Sequence, residues 1–397
     1  MENSSNDYVI RVLDSPDAIA AATWNALLAQ QDHATPFMRH EYLSALHHCR
    51  CAAPDSGWTP RLLLLEREAT LQAACMLYIK HHSFGEYVFD WAWARAYQEH
   101  GLDYYPKAVV AVPFTPVPGS RLLARSAAAR VELVRAAIGW CRDQHLSSLH
   151  ILFADDADVA ACREAGMMPR HAVQFHWRNQ TPGYRSFEEF LGTLAQDKRK
   201  KIRQERRKVR DAGVTFRWSR AGDIASDDWD FFYRCYARTY EEHGNPPYLN
   251  RAFFEDVARN LSEHWLLFVA ERHGRRIAAS LIATGSQDER VGDVPTRRQI
   301  AYGRYWGCLE RVDCLHFEAC YYQPLQWCIE HGFDRFEGGA QGEHKLARAL
   351  LPVTGTSMHW LANPAFSHAV ERFLDQERLG VGNYLEDLST RSPFKQG

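Results

Sequence analysis

Hydrophobic and polar residues follow the same succession of patterns in each half of the chain. In the first half, residues with side chains alternating between two faces predict strands, and apolar residues three or four apart predict helices. The predicted strands are 8–13, 61–66, 71–80, 107–114, 148–153 and 173–177, and the predicted helices are 16–30, 37–49, one ending near 145, and 155–165. The strand at 173–177 is expected to close this half.

The second half repeats this order of elements. The order is a strand, two helices, a hairpin, a strand, a helix and another strand. The predicted strands are 214–218, 265–271, 276–284, 299–306, a short extended piece at 315–317, 334–337 and 353–361, and the predicted helices are 228–242, 252–260, 320–331 and 344–351. The strand at 353–361 is expected to close the second half.

The repeat is also visible in the residues themselves. LLLLEREATLQAACML (62–77) aligns without a gap with LFVAERHGRRIAASLI (267–282), and a Trp-Cys pair recurs on the helix after each hairpin. Internal similarity of this kind indicates a duplicated unit. We therefore predict an α/β (α+β) chain with an N-terminal domain at 1–180, a basic helical segment at 181–213 and a C-terminal domain at 214–397.

Composition narrows the class of protein. A chain of 397 residues with a net charge of −2 fits two globular domains and gives no argument for a DNA partner. No apolar run reaches the roughly 18 residues of a membrane helix, and the polar N-terminus lacks a signal-peptide core, so we expect a cytoplasmic protein without a membrane span. Ten cysteines without CxxC pairs indicate buried reduced thiols rather than disulfides or a metal site.

Several long sequence segments resemble those of a known family. They are FGEYVFDWAWARAYQEHGLDYYPK, VPFTPVPGSRLL, KRKKIRQERRKV, TYEEHGNPPYL, YGRYWG, LHFEACYYQ and FEGGAQGEHKLAR. With the duplicated order of elements, they make nearly the whole chain resemble tandem GNAT acyltransferases and, more narrowly, the Fem-like predicted N-acyltransferases. The polar hairpin at 285–298 is longer than this resemblance implies.

The resemblance implies transfer of an acyl or aminoacyl group to an amine. The donor would be acyl-CoA or aminoacyl-tRNA, acting as a co-substrate with no tightly bound cofactor. The acceptor would be a small-molecule or nucleotide-linked amine, for example a peptidoglycan precursor. A module that binds a phosphorylated ligand without chemistry is the alternative.

Residues 299–352 concentrate ionisable and hydroxyl groups that a structural core does not need. Amine attack on a carbonyl requires a group that accepts a proton. We predict Glu318 first, then Glu343, in this role, with Tyr321 and His316 as further catalytic residues. The predicted substrate-binding residues of this stretch are Tyr302, Arg304, Tyr305, Tyr322, Gln341, His344 and Lys345. No GxSxG, Cys–His or HExxH signature indicates a covalent nucleophile or zinc.

Three other stretches are candidates for binding. The strand-to-helix passage 112–124 predicts a cofactor pyrophosphate site at Thr115, Gly119, Ser120 and Arg121, although an ordinary loop would have the same pattern. The aromatic stretch 81–107 predicts substrate contacts at Asp90, Trp91 and Tyr105, or packing alone.

The third stretch, 197–213, holds nine Lys or Arg residues and one glutamate. Apolar residues at Phe190, Leu191, Leu194, Ile202 and Val209 predict a helix docked along one edge. Its positive face suits a polyanion, either a phosphorylated acceptor or an RNA donor, with contacts predicted at Lys200, Lys201, Arg206 and Arg207. The Fem resemblance implies the second, a tRNA. A helix that only faces solvent is the alternative.

Overall fold

The structure is a computed structural model and describes residues 8–291, 294–340 and 342–395. Its strands, in chain order, are β1 (Val9–Leu13), β2 (Trp58–Arg67), β3 (Thr70–Lys80), β4 (Lys107–Val110), β5 (Leu123–Ala124), β6 (Ser148–Ala154), β7 (Met168–Arg178), β8 (Val214–Arg220), β9 (Trp265–Arg272), β10 (Arg275–Val291), β11 (Val294–Cys308), β12 (Arg335–Ala340) and β13 (Leu351–Leu361).

Most of the helices lie where the periodicity predicts them. They are α1 (Ala21–Leu28), α2 (His40–His48), α3 (Trp91–Glu99), α4 (Ala127–Asp143), α5 (Asp156–Glu164), α6 (Phe187–Thr193), α7 (Gln196–Asp211), α8 (Ser226–Glu241), α9 (Arg251–Asn260), α10 (Leu315–Phe317), α11 (Gln323–Glu330) and α12 (Pro364–Thr390). A π turn, Glu318–Tyr322, joins α10 to α11, and Glu343–Arg348 is a 3-10 helix. The extended piece predicted at 315–317 is wrong, because these residues are helical.

The chain divides into two compact units. Unit 1 holds 1–172 and 355–381, and unit 2 holds 173–354 and 382–397. The division thus falls at 173 rather than 180, the basic segment 181–213 lies inside unit 2, and part of the C-terminal region belongs to unit 1.

The two units have the same strand arrangement. The order is β1-β2-β3-β4-β6-β13 in unit 1 and β8-β9-β10-β11-β12-β7 in unit 2. One parallel pair in each unit, β4 with β6 and β11 with β12, interrupts otherwise antiparallel pairing. The two hairpins that align in sequence therefore hold equivalent places, and the predicted α/β (α+β) class with a duplicated unit is confirmed.

The closing strands are exchanged relative to the prediction. The C-terminal strand β13 pairs with β6 of the first half through 356–361, and β7 pairs with β12 of the second half through 174–178. The expectation that each half is closed by its own last strand is therefore wrong. Local sequence could not reveal this, because strand pairing between residues far apart in the chain decides it.

Each unit buries its own core. In unit 1, side chains of β2, β3, β4 and β6 pack with one face of α4 and with α5. In unit 2, aromatic residues of α6, α11 and β12 pack with the apolar edge of α7. All five apolar residues predicted to dock the basic helix are buried, which confirms the docked edge.

Candidate active site

A cavity opens in unit 2 where β11 and β12 part. The two strands pair in parallel over Ile300–Tyr302 and Arg335–Glu337. In β11, Arg304 is the extra residue of a bulge opposite β10, and a bulge bends its strand locally. The cavity has a volume of about 130 Å³, and is lined by Ser280, Ile282, Gly303, Arg304, Tyr305, Trp306, His316, Cys320, Tyr321, Phe336 and Gly338.

Two glycines of the lining are required by close packing. A Cβ on Gly303 would lie 3.0 Å from the Phe336 ring, and one on Gly338 would lie 2.4 Å from Cδ2 of Leu350. Side chains at these positions would displace their neighbours. Gly303 of the YGRYWG segment and Gly338 of the FEGGAQGEHK segment therefore let the strands lie close to their neighbours around the cavity.

The π turn sets the direction of the polar side chains. Cys320 and Tyr321 line the cavity together with His316 of α10. The π turn is held to β10 by the hydroxyl of Ser280, which donates a hydrogen bond of 2.8 Å to the carbonyl of Ala319. Single π turns recur at functional sites because the extra residue redirects side chains.

Tyr321 connects the cavity to His344. Its hydroxyl lies 3.1 Å from Nε2 of His344, at hydrogen-bonding distance. His344 is exposed, whereas Tyr321 is buried. The pair therefore forms a hydrogen-bonded path from the cavity to a residue in contact with solvent.

Burial tunes these groups toward their neutral forms. It lowers the pKa of His316 to about 4, an effect reinforced by His344 and Arg348. It also lowers the pKa of His344 and raises that of the Tyr321 phenol. Lys345, whose Nζ lies 3.3 Å from the Gly339 carbonyl, has a pKa lowered to about 8 by burial. Neutral imidazoles near pH 7 are able to accept protons.

Glu318, predicted as the first candidate base, lines a different pocket beside α7. Its Oε1 accepts hydrogen bonds from Nε of Arg206 at 3.1 Å and from Gln323 at 2.7 Å. Neither neighbouring tyrosine hydroxyl is bonded to it. Tyr321 pairs with His344, and Tyr322 donates to Glu205.

A buried ion pair joins α7 to the 3-10 helix. The guanidinium of Arg348 donates to both carboxylate oxygens of Glu205, at 3.0 and 2.8 Å, and to the His344 carbonyl at 2.6 Å. Both side chains are buried. Sequence reasoning missed this pair, since a lone glutamate in a cationic run resembles a solvated residue. Its place on the apolar edge, three residues after Ile202, was the available signal.

Of the remaining residues predicted in 299–352 that the structure describes, two line the cavity and the others do not. Tyr302 is fully buried, and Gln287 donates a hydrogen bond of 3.2 Å to its hydroxyl. Arg304 and Tyr305 line the cavity and are hydrogen-bonded to each other at 3.1 Å. Glu343 is exposed and accepts hydrogen bonds from Tyr384 and Arg391. Gln341 lies outside the described residues.

The predicted substrate residues of unit 1 surround a buried lysine. Asp90 accepts hydrogen bonds from Lys107 and from the Tyr104 hydroxyl, while Tyr105 is bonded to Ser83 at 2.8 Å. Trp91 is exposed. Lys107, the basic partner of Asp90, is the last residue of the same aromatic stretch 81–107.

The predicted pyrophosphate loop carries its own anions. Asp158 accepts hydrogen bonds from the backbone amides of Arg121 and Leu122, and Ser120 donates to Asp155. The Arg121 side chain is buried and donates to backbone carbonyls. Thr115 donates to the Pro113 carbonyl, and a Cβ on Gly119 would lie 2.7 Å from Thr35. These residues have structural partners, so cofactor binding here stays a prediction.

Three of the four predicted polyanion contacts on the basic helix are exposed, and the fourth is partly buried. Lys200, Lys201 and Arg207 are exposed, and Lys200 and Arg207 line a groove of about 550 Å³ on α7. Arg206 is instead partly buried, and it pairs with Glu318 and Gln326.

In the described part of the chain, no helix has the length and apolar character needed to cross a membrane. Across the same residues, no cluster of three or more His, Cys, Asp or Glu side chains is arranged to bind a metal ion.

Comparisons with known proteins identify the family. The FemAB-like family model, described as peptidoglycan biosynthesis/recognition, matches residues 15–396. The structure is similar to that of FemX, with a TM-score of 0.54, 10% identity, and coverage of 91% of this chain and 100% of that one. It is also similar to L-PGS from Bacillus licheniformis, with a TM-score of 0.52, 10% identity, and coverage of 91% and 98%.

No significant match to a curated protein was found. The structural similarities concern the fold, because the identities are low. The family match extends over nearly the whole chain and confirms the resemblance predicted from its sequence words. The chain belongs to the FemAB-like family.

Proposed function

We propose that this protein is an acyltransferase that moves an acyl or aminoacyl group from an activated donor to an amine, and that the reaction takes place in the cavity between β11 and β12. The observation that carries the proposal is the Tyr321–His344 pair, which leads from the cavity to an exposed imidazole. The family match supports a role in peptidoglycan biosynthesis or recognition, so the proposed acceptor is the amine of a peptidoglycan precursor.

The chemistry needs a balanced proton transfer. When the amine attacks the donor carbonyl, a C–N bond forms and the amine loses one proton. The Tyr321 hydroxyl takes that proton as it passes its own to Nε2 of His344. When the bond to the leaving oxygen or sulfur breaks, the same path returns a proton to the leaving group. No net proton is consumed, and burial lowers the pKa of His344, which keeps its imidazole neutral so that a ring nitrogen is free to accept the proton.

The donor is proposed to be aminoacyl-tRNA, acting in the cytoplasm as a co-substrate. The support is the exposed cationic face of α7, on which Lys200 and Arg207 line a groove. Such a face attracts the phosphates of RNA. Acyl-CoA is the alternative donor.

The test is a single-turnover assay with a radiolabelled aminoacyl-tRNA mixture or acyl-CoA, and with a peptidoglycan precursor that carries a free amine. We expect product with aminoacyl-tRNA that depends on Tyr321. If product forms with acyl-CoA and not with aminoacyl-tRNA, acyl-CoA is the donor instead. Binding of both substrates without product under any donor would instead support a module that binds without chemistry.

A further inference from the structure

A second pocket of unit 2 has the size and the polar lining of a ligand-binding site. It has a volume of about 520 Å³ and lies between α7, β8 and the π turn. Four arginines and two glutamates line it: Arg203, Arg206, Arg207, Arg210, Glu188 and Glu318. Phe216 contributes an aromatic side chain to its wall.

The charges of this pocket do not cancel. Arg206 is paired with Glu318, and Arg203 is paired with Glu188. Of the two remaining guanidinium groups, that of Arg210 lies 3.8 Å from the Asp211 carboxylate, so the unpaired positive charge is that of Arg207. Arg207 has no ion-pair partner in the part of the chain that the structure describes. Guanidinium groups match the geometry of phosphate oxygens, and a phosphate monoester carries about −1.5 to −2 charges near pH 7.

Glu318 adds an acceptor that lacks a donor. The residue is 4% exposed, and its Oε1 is occupied by Arg206 and Gln323. Its Oε2 is buried and has no hydrogen-bond partner among the described residues. Buried polar atoms are nearly always hydrogen-bonded, so this oxygen indicates a missing N–H or O–H group.

We propose that this pocket binds a phosphate group together with a hydrogen-bond donor, an amine or a hydroxyl, of the same small molecule. Arg207 and Arg210 bind the phosphate, and Oε2 of Glu318 accepts from the donor. Glu318 is thus a binding residue rather than the catalytic base. Binding of such a molecule does not depend on the proposed function. Only the further statement that the molecule is part of a substrate rests on it.

Isothermal titration calorimetry tests the proposal directly. O-phosphoethanolamine carries both groups, whereas phosphocholine and inorganic phosphate lack the amine N–H. We expect O-phosphoethanolamine to bind more tightly than either. Arg207→Gln and Arg210→Gln should each weaken its binding by about 10-fold or more. Arg199→Gln, which removes the same charge from α7 outside this pocket, should change it less than about 2-fold.

Glu318→Gln should abolish the preference for O-phosphoethanolamine over phosphocholine and leave phosphate binding in place. Tighter binding of ribose 5-phosphate than of O-phosphoethanolamine, lost in Arg207→Gln, would also support the site and identify the donor as a sugar hydroxyl. Equal binding of all these phosphates by the wild type, or unchanged binding in both arginine variants, would overturn the proposal. Because Tyr321→Phe should still bind O-phosphoethanolamine, failure of turnover is distinguishable from failure of this site.

Discussion

The hydroxyl of Tyr321 lies 3.1 Å from Nε2 of His344, and the backbone of Gly342 makes room for that imidazole. Gly342 has a left-handed φ of +97°, and a Cβ there would lie 2.5 Å from Cε1 of His344. The position of the imidazole therefore depends on a residue without a side chain.

Gly342→Ala should displace His344 and lower turnover while the protein still folds. We expect a loss of about 1–2 kcal/mol in the free energy of unfolding, because alanine is strained at a left-handed φ. The control is Gly332→Ala, which has a φ of +69° and open space around its Cβ. It should lose similar stability without losing turnover. Equal turnover in the two variants would remove His344 from the mechanism.

Glu205→Gln should destabilise unit 2 strongly. It leaves the buried Arg348 guanidinium without its carboxylate, and breaking a buried pair costs about 3–5 kcal/mol. Glu188→Gln breaks an exposed ion pair between α6 and Arg203 of α7. This variant should lower the free energy of unfolding by less than about 1 kcal/mol. Chemical denaturation measures both. Similar losses in the two variants would contradict a special role for the Glu205–Arg348 pair.

Much of the fold could be predicted from the sequence because local patterns repeat. The two hairpins at 62–77 and 267–282 align residue by residue, and α7 has a clear apolar edge. The exchange of β7 and β13 could not be predicted, because pairing partners far apart in the chain decide it.

The site was predicted only in its general region for a related reason. Regular helical spacing would place Glu318 and Tyr321 within one turn on the same face. The π turn at 318–322 breaks this spacing, so Glu318 lies in the arginine-lined pocket and Tyr321 lines the cavity. Similarly, the burial of Glu205 depends on Arg348, which the sequence places far away.

His150 predicts a pH-dependent stability of unit 1. Burial, reinforced by Lys107, lowers its pKa to about 3, while an unfolded histidine has a pKa of about 6.5. The neutral side chain therefore contributes stability that is complete above about pH 6.5 and is lost as the pH falls toward 3.

Between pH 6 and 4, His150→Gln should reduce the slope of unfolding free energy against pH by up to about 1.4 kcal/mol per pH unit. His368→Gln, at an exposed position of unit 1, should leave the slope unchanged. Denaturant titrations at several pH values measure the slopes. A slope in His150→Gln equal to that of the wild type would show that His150 does not carry the effect.

Lys200→Glu combined with Lys201→Glu should weaken tRNA binding. The slope of log Kd against log salt should fall by about 2, since about one phosphate contact is lost per cation. Folding should survive because Ile202 and Val209 remain docked. The matched control is Arg238→Glu with Arg259→Glu, two exposed arginines on other helices of unit 2. An equal effect in both double variants would indicate attraction by net charge alone.

The most direct test of the proposed reaction is the single-turnover rate of Tyr321→Phe. The variant removes one hydroxyl and keeps the ring, so the cavity stays filled. Tyr184→Phe, at a buried position elsewhere in unit 2, is the control. If the Tyr321–His344 pair moves the proton, Tyr321→Phe lowers the rate by about 10²–10⁴-fold with donor affinity nearly unchanged, and Tyr184→Phe retains the wild-type rate. A wild-type rate in Tyr321→Phe would contradict the account.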